Sequence, residues 1–291
     1  MKFFSFINYP LISLTLLCSL LPDPCRGDDE GSPFALPAEY VEVRVPIEGG
    51  HLACRRRKAS GPSIVLIPGT FSDARVYTRM VENLDPQFDI VLFENRGLGG
   101  SWPPPAESSI EQCARDVVTL ADALKIESFY VGGHSLGGMI SIELAKQIPN
   151  RLYGVISIEG WTNAKAAADA FQGDMKSTQS PAQVELLKNY RTEVLERWTP
   201  EQIKMFGSIW RKWDGSETLS QTKIRVLELY GDRNRPVPSR DALGLPKRRE
   251  IQLVWFAGAS HSLLIERPNE VASTINSFIH GLEDSRKSPD K

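Results

Sequence analysis

The chain has 291 residues, which is enough for one large α/β domain or two small ones. Hydrophobic residues make up 41% of it and charged residues 24%, which are ordinary proportions for a soluble globular protein. The formal net charge of −2 implies no basic surface, so nucleic acid is not an expected partner.

The N-terminal segment, residues 1–27, is predicted to be a secretory signal peptide. Lys2 precedes an apolar run from Phe3 to Leu21, and small residues surround the expected cleavage point. We therefore expect a secreted or periplasmic protein with no stable membrane insertion after cleavage, or a membrane-anchored one if the segment is retained. Beyond this segment lie Cys54 and Cys113, for which the sequence allows either a disulfide or two buried free thiols.

Strand patterns begin after a polar stretch. Tyr40–Val45 alternates like an antiparallel strand, and His51–Arg55 returns as its hairpin partner. The apolar run Ile64–Ile67 is typical of a strand buried on both faces of a parallel sheet. Further strands are predicted at Ile90–Phe93, Phe129–Val131, Leu152–Ile158, Ile224–Leu229 and Ile251–Phe256. Helical patterns alternate with these strands, and a capping box from Ser108 to Glu111 is predicted before one of the helices. The alternation predicts an α/β fold with a doubly wound, mostly parallel sheet of eight strands.

One long segment interrupts this alternation. Between Trp161 and about Thr222 there is no strand pattern, whereas Ser180-Pro181 and Thr199-Pro200 each indicate a helix N-cap followed by proline. Gln202 completes a second predicted capping box with the second of these N-caps. The predicted organisation is a core over 28–160 and 223–282, a helical cap over 161–222 and a polar tail over 283–291.

A serine flanked by glycines follows one of the predicted strands. The segment Gly133-His134-Ser135-Leu136-Gly137 has the pattern Gly-x-Ser-x-Gly, and a helical pattern comes next. In this strand–turn–helix context the pattern is typical of a nucleophile elbow, in which glycines avoid clashes in a tight, strained turn. The serine hydroxyl then projects above a helix N-terminus that favours a developing negative charge. Ser135 is therefore the predicted nucleophile.

With this motif the chain resembles the α/β-hydrolases that carry a helical cap, over about residues 40–282. Pro68–Phe71 stands where that family often has His-Gly-x, and the resemblance implies an oxyanion hole built from the main-chain N–H groups of Thr70 and Leu136. Members of the family carry the catalytic histidine in the loop after the last strand. His261 occupies that loop here, so the resemblance implies that it is the general base.

The acid that should hold His261 is displaced from its common position in the family. That position is occupied by Asn234, an amide with no charge to balance an imidazolium. Certain haloalkane dehalogenases keep the acid at the end of the preceding strand, at the spacing that separates Glu159 from Ser135. The resemblance thus favours Glu159, with Asp232 as the alternative acid. Either carboxylate could instead be a polar strand end or a turn residue bonded to its own backbone.

Serine with histidine and an oxyanion hole suits acyl transfer to water, so we predict hydrolysis of a carboxylic ester through an acyl-enzyme. The related dehalogenases and epoxide hydrolases use an aspartate nucleophile, which Ser135 does not provide. Phe71, His134, Trp161 and Trp210 are the predicted substrate-binding residues. The aromatic residues of the cap favour an apolar or aromatic substrate, unless they form the core of the cap itself.

Other functions of this fold remain open at the level of sequence. A serine hydrolase of the same type could cleave a C–C bond, a lactone or a thioester. A catalytically inactive ligand-binding protein would use the same pocket as a receptor. The sequence contains no metal-ligand cluster and no phosphate-binding loop, so neither a metal nor a cofactor is predicted.

Overall fold

The computed structural model describes residues 32–171, 174, 176 and 178–287. The predicted signal peptide over residues 1–27 lies outside this part of the chain, as do residues 288–291 of the predicted tail. Within the described ranges, no helix combines the length and the hydrophobicity needed to span a membrane.

An eight-stranded sheet forms the centre of the molecule. Its strands are β1 (Val41–Ile47), β2 (Gly50–Arg57), β3 (Ser63–Ile67), β4 (Asp89–Glu94), β5 (Phe129–His134), β6 (Leu152–Ile158), β7 (Val226–Gly231) and β8 (Ile251–Phe256). They lie in the order β1-β2-β4-β3-β5-β6-β7-β8. Strand β2 is antiparallel to both β1 and β4, and all other neighbours are parallel. The predicted fold class is confirmed.

Helices connect the parallel strands. The α-helices of the described residues are α1 (Thr78–Val81), α2 (Ile110–Ala123), α3 (Leu136–Gln147), α4 (Ala164–Phe171), α5 (Pro181–Val194), α6 (Pro200–Phe206), α7 (Ser216–Gln221), α8 (Leu263–Glu266) and α9 (Pro268–Lys287). Helix α3 packs on β5 and β6, and α9 also packs on β6. Strands β4 and β5 are buried along their whole length, as expected for apolar runs covered on both faces.

The predicted capping box at the start of α2 is wrong by one residue. The N-cap is Ser109, whose hydroxyl accepts a hydrogen bond from the Gln112 N–H at 3.2 Å. The helix therefore places Gln112 rather than Glu111 at the third position. The Gln112 amide donates to Asp116 in the next turn instead of returning to the N-cap. The hydroxyl of Ser108 lies 3.5 Å from the sulfur of Cys113.

The segment between β6 and β7, which we call the insert (162–222), contains the helices α4, α5, α6 and α7. Both predicted N-caps are found, since Ser180 and Thr199 each form a capping box with a glutamine three residues later. Polar contacts hold the insert against the core. The Trp198 indole donates to the Gly97 carbonyl at 2.6 Å, and the Trp213 indole donates to Glu143 at 2.9 Å.

Cys54 and Cys113 are both buried and unpaired. Cys54 lies on β2 and Cys113 on α2, so each packs within the core as a small apolar side chain. Of the two arrangements that the sequence allowed, the structure contains two free thiols.

Candidate active site

Ser135 lies at the sharp turn between β5 and α3, with φ 55° and ψ −116°. This left-handed conformation is strained for a residue with a side chain, and such strain is typical of a nucleophile elbow. The flanking glycines permit the turn because a Cβ on Gly133 would overlap the backbone of Gly137. A Cβ on Gly137 would in turn overlap the carbonyl of Ile67. The turn leaves Ser135 partly exposed in a pocket.

His261 follows β8 and lies beside the same pocket, where only 3% of its surface is exposed. Its Nδ1 lies 3.1 Å from Oε2 of Glu159, close enough for the imidazole N–H to donate to the carboxylate. Trp161 packs against the imidazole with a centroid separation of 5.3 Å. The structure therefore brings together the histidine and the displaced carboxylate that the sequence singled out.

Glu159 is fully buried immediately after β6 and has a positive φ of 54°. Its Oε1 accepts hydrogen bonds from the Gly231 N–H at 2.6 Å and from Arg233 at 3.0 Å. Its Oε2 accepts a second bond from Arg233 at 2.6 Å. Burial alone would raise the pKa of Glu159, but the hydrogen bond with His261 and the charge of Arg233 hold that pKa below its ordinary value. The carboxylate is thus ionised and fixed in position.

Sequence reasoning did not identify Arg233 as part of this site. The residue is almost fully buried in the turn after β7, also with a positive φ of 54°. A buried carboxylate requires a counter-charge, so a buried Glu159 implies that a basic residue lies beside it. The sequence does not indicate which basic residue of the chain provides that charge.

Asp232, the alternative acid, has other partners. Its Oδ1 accepts a hydrogen bond from the Asn234 N–H and another from the Gly258 N–H, both at 2.8 Å. The carboxylate therefore joins the turn after β7 to the turn after β8. Of the two candidates, only Glu159 has a contact with His261 among the hydrogen bonds of the described residues.

His134 contacts the loop that carries His261. Its Nε2 donates to the carbonyl oxygen of His261 at 2.7 Å, and the two rings are 4.9 Å apart. Burial, together with the neighbouring His261, lowers the pKa of His134 to about 3. A neutral His134 is suited to positioning the loop and to lining the pocket, not to carrying a proton at neutral pH.

The two main-chain groups expected to form the oxyanion hole also line the pocket. Leu136 is the first residue of α3, and Thr70 lies in the loop after β3, next to Phe71 with its positive φ of 59°. Among the described residues, neither the Thr70 nor the Leu136 N–H donates a hydrogen bond to another group. Both donors are available to an oxygen bound beside Ser135.

The pocket itself has a volume of about 220 Å³. All four residues predicted to bind substrate are found in its lining: Phe71, His134, Trp161 and Trp210. The two tryptophans meet edge to face at 5.5 Å. Other aromatic residues of the insert, such as Trp198 and Phe206, are buried against each other and do not line the pocket. The aromatic residues of the predicted cap therefore divide between the pocket and the packing of the insert.

Known proteins resemble this chain in both fold and sequence. The family model described as alpha/beta hydrolase fold matches residues 62–183. A haloalkane dehalogenase variant from Bradyrhizobium elkanii superposes with a TM-score of 0.70 and 14% identity, covering 86% of this chain and 99% of the other. The chain has the α/β-hydrolase fold.

Two curated relatives are similar in sequence to this chain. A protein of Agrobacterium fabrum named "Putative carbamate hydrolase RutD" is 32% identical over 110 residues, which cover 38% of this chain and 42% of the relative. The chain thus spans about two fifths of the length of the RutD proteins it matches. The 2-heptyl-3-hydroxy-4-quinolone dioxygenase AqdC2 of Rhodococcus erythropolis is 23% identical over 250 residues, covering 76% of this chain and 91% of the relative.

Proposed function

We propose that the protein is a serine hydrolase that cleaves a carboxylic ester through an acyl-enzyme. Ser135 is the nucleophile, His261 the general base and acid, and Glu159 the carboxylate of the triad. The observation that carries the proposal is the 3.1 Å contact between His261 Nδ1 and Glu159 Oε2, beside the pocket that Ser135 lines. Because Nδ1 is engaged, Nε2 is the ring nitrogen left to accept the serine proton.

The proposed cycle follows from these positions. Ser135 Oγ attacks the ester carbonyl while His261 takes its proton, and the N–H groups of Thr70 and Leu136 stabilise the oxyanion. The tetrahedral intermediate collapses, and the alcohol leaves with the proton that His261 returns. Water then attacks the acyl-enzyme, again with His261 as base, and releases the acid. Ionised Glu159 stabilises the imidazolium in both halves of the cycle.

The chemistry of the nucleophile supports hydrolysis over the dehalogenase reaction of the structural neighbour. An alkyl-ester intermediate requires a carboxylate nucleophile, and the elbow of this chain carries a serine hydroxyl. The relative named as a carbamate hydrolase is consistent with attack on a carbonyl carbon. The wall formed by Phe71, Trp161 and Trp210 supports an apolar or aromatic group in the substrate.

The test is covalent labelling of the purified protein with a fluorophosphonate probe, followed by mass spectrometry of the labelled peptide. We expect one label on Ser135 and no label in Ser135→Ala. Ser208→Ala, which changes an exposed serine of the insert, is the matched control and should label like the wild type. An unlabelled wild-type protein would contradict the hydrolase proposal and favour a ligand-binding protein.

The bond that is cleaved is tested separately. Initial rates are measured on matched esters, thioesters, lactones, carbamates and vinylogous 1,5-diketones, with Ser135→Ala as the blank. Esters should be the fastest class. Because one relative is named as a dioxygenase, oxygen uptake with 2-heptyl-3-hydroxy-4-quinolone is recorded in parallel. If the Ser135→Ala variant still consumes oxygen, the protein catalyses an oxidation and the proposed ester hydrolysis is contradicted.

A further inference from the structure

Arg191 places a positive charge in the wall of the pocket that contains Ser135. It lies on α5 of the insert and is half-buried. The family resemblance did not point to this residue, and neither the triad nor the oxyanion hole uses it. A cation in this position is expected to have a negatively charged partner, either in the protein or in a ligand.

No carboxylate in the described part of the chain pairs with Arg191. Among the described residues, the Arg191 guanidinium forms no ion pair and no hydrogen bond. Two other arginines with little exposure are ion-paired: Arg75 contacts Asp73 and Glu193, and Arg233 contacts Glu159. Burial lowers the pKa of Arg191 from its ordinary value, and a guanidinium remains charged at neutral pH. A half-buried cation without a partner has lost part of its hydration without compensation.

The rest of the pocket lining leaves this charge unbalanced. None of the residues found in the lining is an aspartate or a glutamate. The nearest functional carboxylate, Glu159, is buried behind His261 and is already neutralised by Arg233. Around Arg191 the wall is apolar or aromatic, with Phe71, Met139 and Trp210. The pocket therefore combines one fixed cation with a largely apolar wall.

We propose that the pocket is built for an anionic substrate, an ester that carries a free carboxylate in addition to the scissile bond. Arg191 binds the carboxylate, for which the planar guanidinium provides two parallel N–H donors. The aromatic wall packs on the apolar part that joins the carboxylate to the ester carbonyl at Ser135. This inference rests on the proposed hydrolase function and specifies its substrate class.

The first experiment compares matched neutral and anionic substrates. 4-Nitrophenyl pentanoate and the mono-4-nitrophenyl ester of glutaric acid differ by a terminal carboxylate on the acyl side. Phenyl acetate and 4-acetoxybenzoate make the same comparison on the alcohol side, because they differ by a carboxylate on the ring of the leaving group. In at least one pair, we expect the wild type to prefer the anionic ester in kcat/KM. Equal rates, or a preference for the neutral ester in both pairs, would overturn the inference.

The second experiment assigns the preference to one side chain. Arg191→Gln should lower kcat/KM for the preferred anionic ester about 10- to 100-fold, the value of a charged hydrogen bond, and leave the neutral ester nearly unchanged. Arg191→Lys should retain part of the preference. Lys188→Gln removes an exposed charge from the same helix and should behave as wild type. An equal loss on both esters in Arg191→Gln would indicate a structural role.

A binding measurement separates this inference from the proposed reaction. In the Ser135→Ala background, 4-phenylbutanoate and 4-phenylbutanamide are titrated by calorimetry. The carboxylate should bind at least about 10-fold more tightly than the amide, and Arg191→Gln should remove the difference. If the wild type hydrolyses no ester but this difference is present, only the hydrolase proposal fails. Equal binding of the two ligands, or no binding of the carboxylate, would overturn the inference.

Discussion

Arg233 and Glu159 form a buried two-point ion pair, with Nη1–Oε1 3.0 Å and Nη2–Oε2 2.6 Å. The carboxylate oxygen Oε2 is shared, because His261 Nδ1 lies 3.1 Å from it. The arginine therefore fixes the orientation of the carboxylate that meets the histidine. It also neutralises a charge that would otherwise be costly to bury.

The first prediction concerns the loss of this pair. Arg233→Met leaves the Glu159 carboxylate buried without its counter-charge, so the free energy of unfolding at pH 7 should fall by about 3–5 kcal/mol. The measurement is urea unfolding. Arg235→Met is the matched control from the same turn, because Arg235 is about half exposed in its pair with Asp174. That change should cost at most about 1 kcal/mol. Equal losses in the two variants would contradict a special role for Arg233.

The second prediction separates the two candidate acids. Glu159→Gln keeps the shape of the side chain but removes the charge that stabilises the imidazolium, so kcat should fall by about three to four orders of magnitude. Asp232→Asn retains an oxygen that accepts the Gly258 N–H and should leave kcat close to that of the wild type. Steady-state kinetics on the best ester of the panel measure both. The reverse pattern would transfer the role of the acid to Asp232.

The third prediction tests the turn that contains Ser135. In Gly137→Ala the added methyl group overlaps the Ile67 carbonyl, which is backbone and cannot rotate away. We expect a loss of about 3 kcal/mol or more in stability, and a loss of fluorophosphonate labelling. Gly281→Ala is the control, because a Cβ there meets open space on helix α9. It should gain about 0.5–1 kcal/mol from the better helix propensity of alanine. A Gly137→Ala protein that melts and labels like the wild type would contradict the close packing of the elbow.

The fourth prediction concerns the pH dependence of stability. Glu228 lies on β7, fully buried, and neither carboxyl oxygen has a hydrogen-bond partner in the described part of the chain. Burial raises the pKa of Glu228 from its ordinary 4.5 to about 8. Between these values the folded chain holds a proton that the unfolded chain has released. The contribution of this group to stability therefore falls as the pH rises from about 4.5 to about 8.

Glu228→Gln removes this titration while keeping the size of the side chain. Unfolding free energies of the variant and the wild type are compared at pH 5, 6.5 and 8. The difference between them should grow in favour of the variant by up to about 1.4 kcal/mol per pH unit, the slope of one proton. A constant difference across the series would show that Glu228 does not titrate in this range.

Much of the architecture could be predicted from the sequence because apolar runs and glycine-flanked turns are local signals. The strands β4 and β6 lie within a residue of their predicted bounds, and Ser135 occupies the predicted elbow. The first residue of α2 was harder to predict, since Ser108 and Ser109 are both suitable N-caps. In the structure, Ser109 is the N-cap.

The remaining features depend on contacts between distant parts of the chain. Arg233 meets Glu159 across 74 positions, and the pairing follows from the turns after two neighbouring strands, not from either turn alone. Which aromatic residues of the insert line the pocket also depends on contacts between distant parts of the chain. Whether Trp210 or Trp198 faces the pocket depends on how the helices lie over the sheet edge, and no periodicity encodes that angle.

The position of Glu159 at the end of β6 has a consequence for engineering this scaffold. The carboxylate belongs to the last turn of chain before the insert begins, and Trp161, two residues later, packs on His261. A chimera that exchanges the insert for that of another protein with this fold must therefore place its first junction after Trp161. A junction placed at the end of β6 itself would also replace Glu159 and Trp161, and with them both of these contacts to His261.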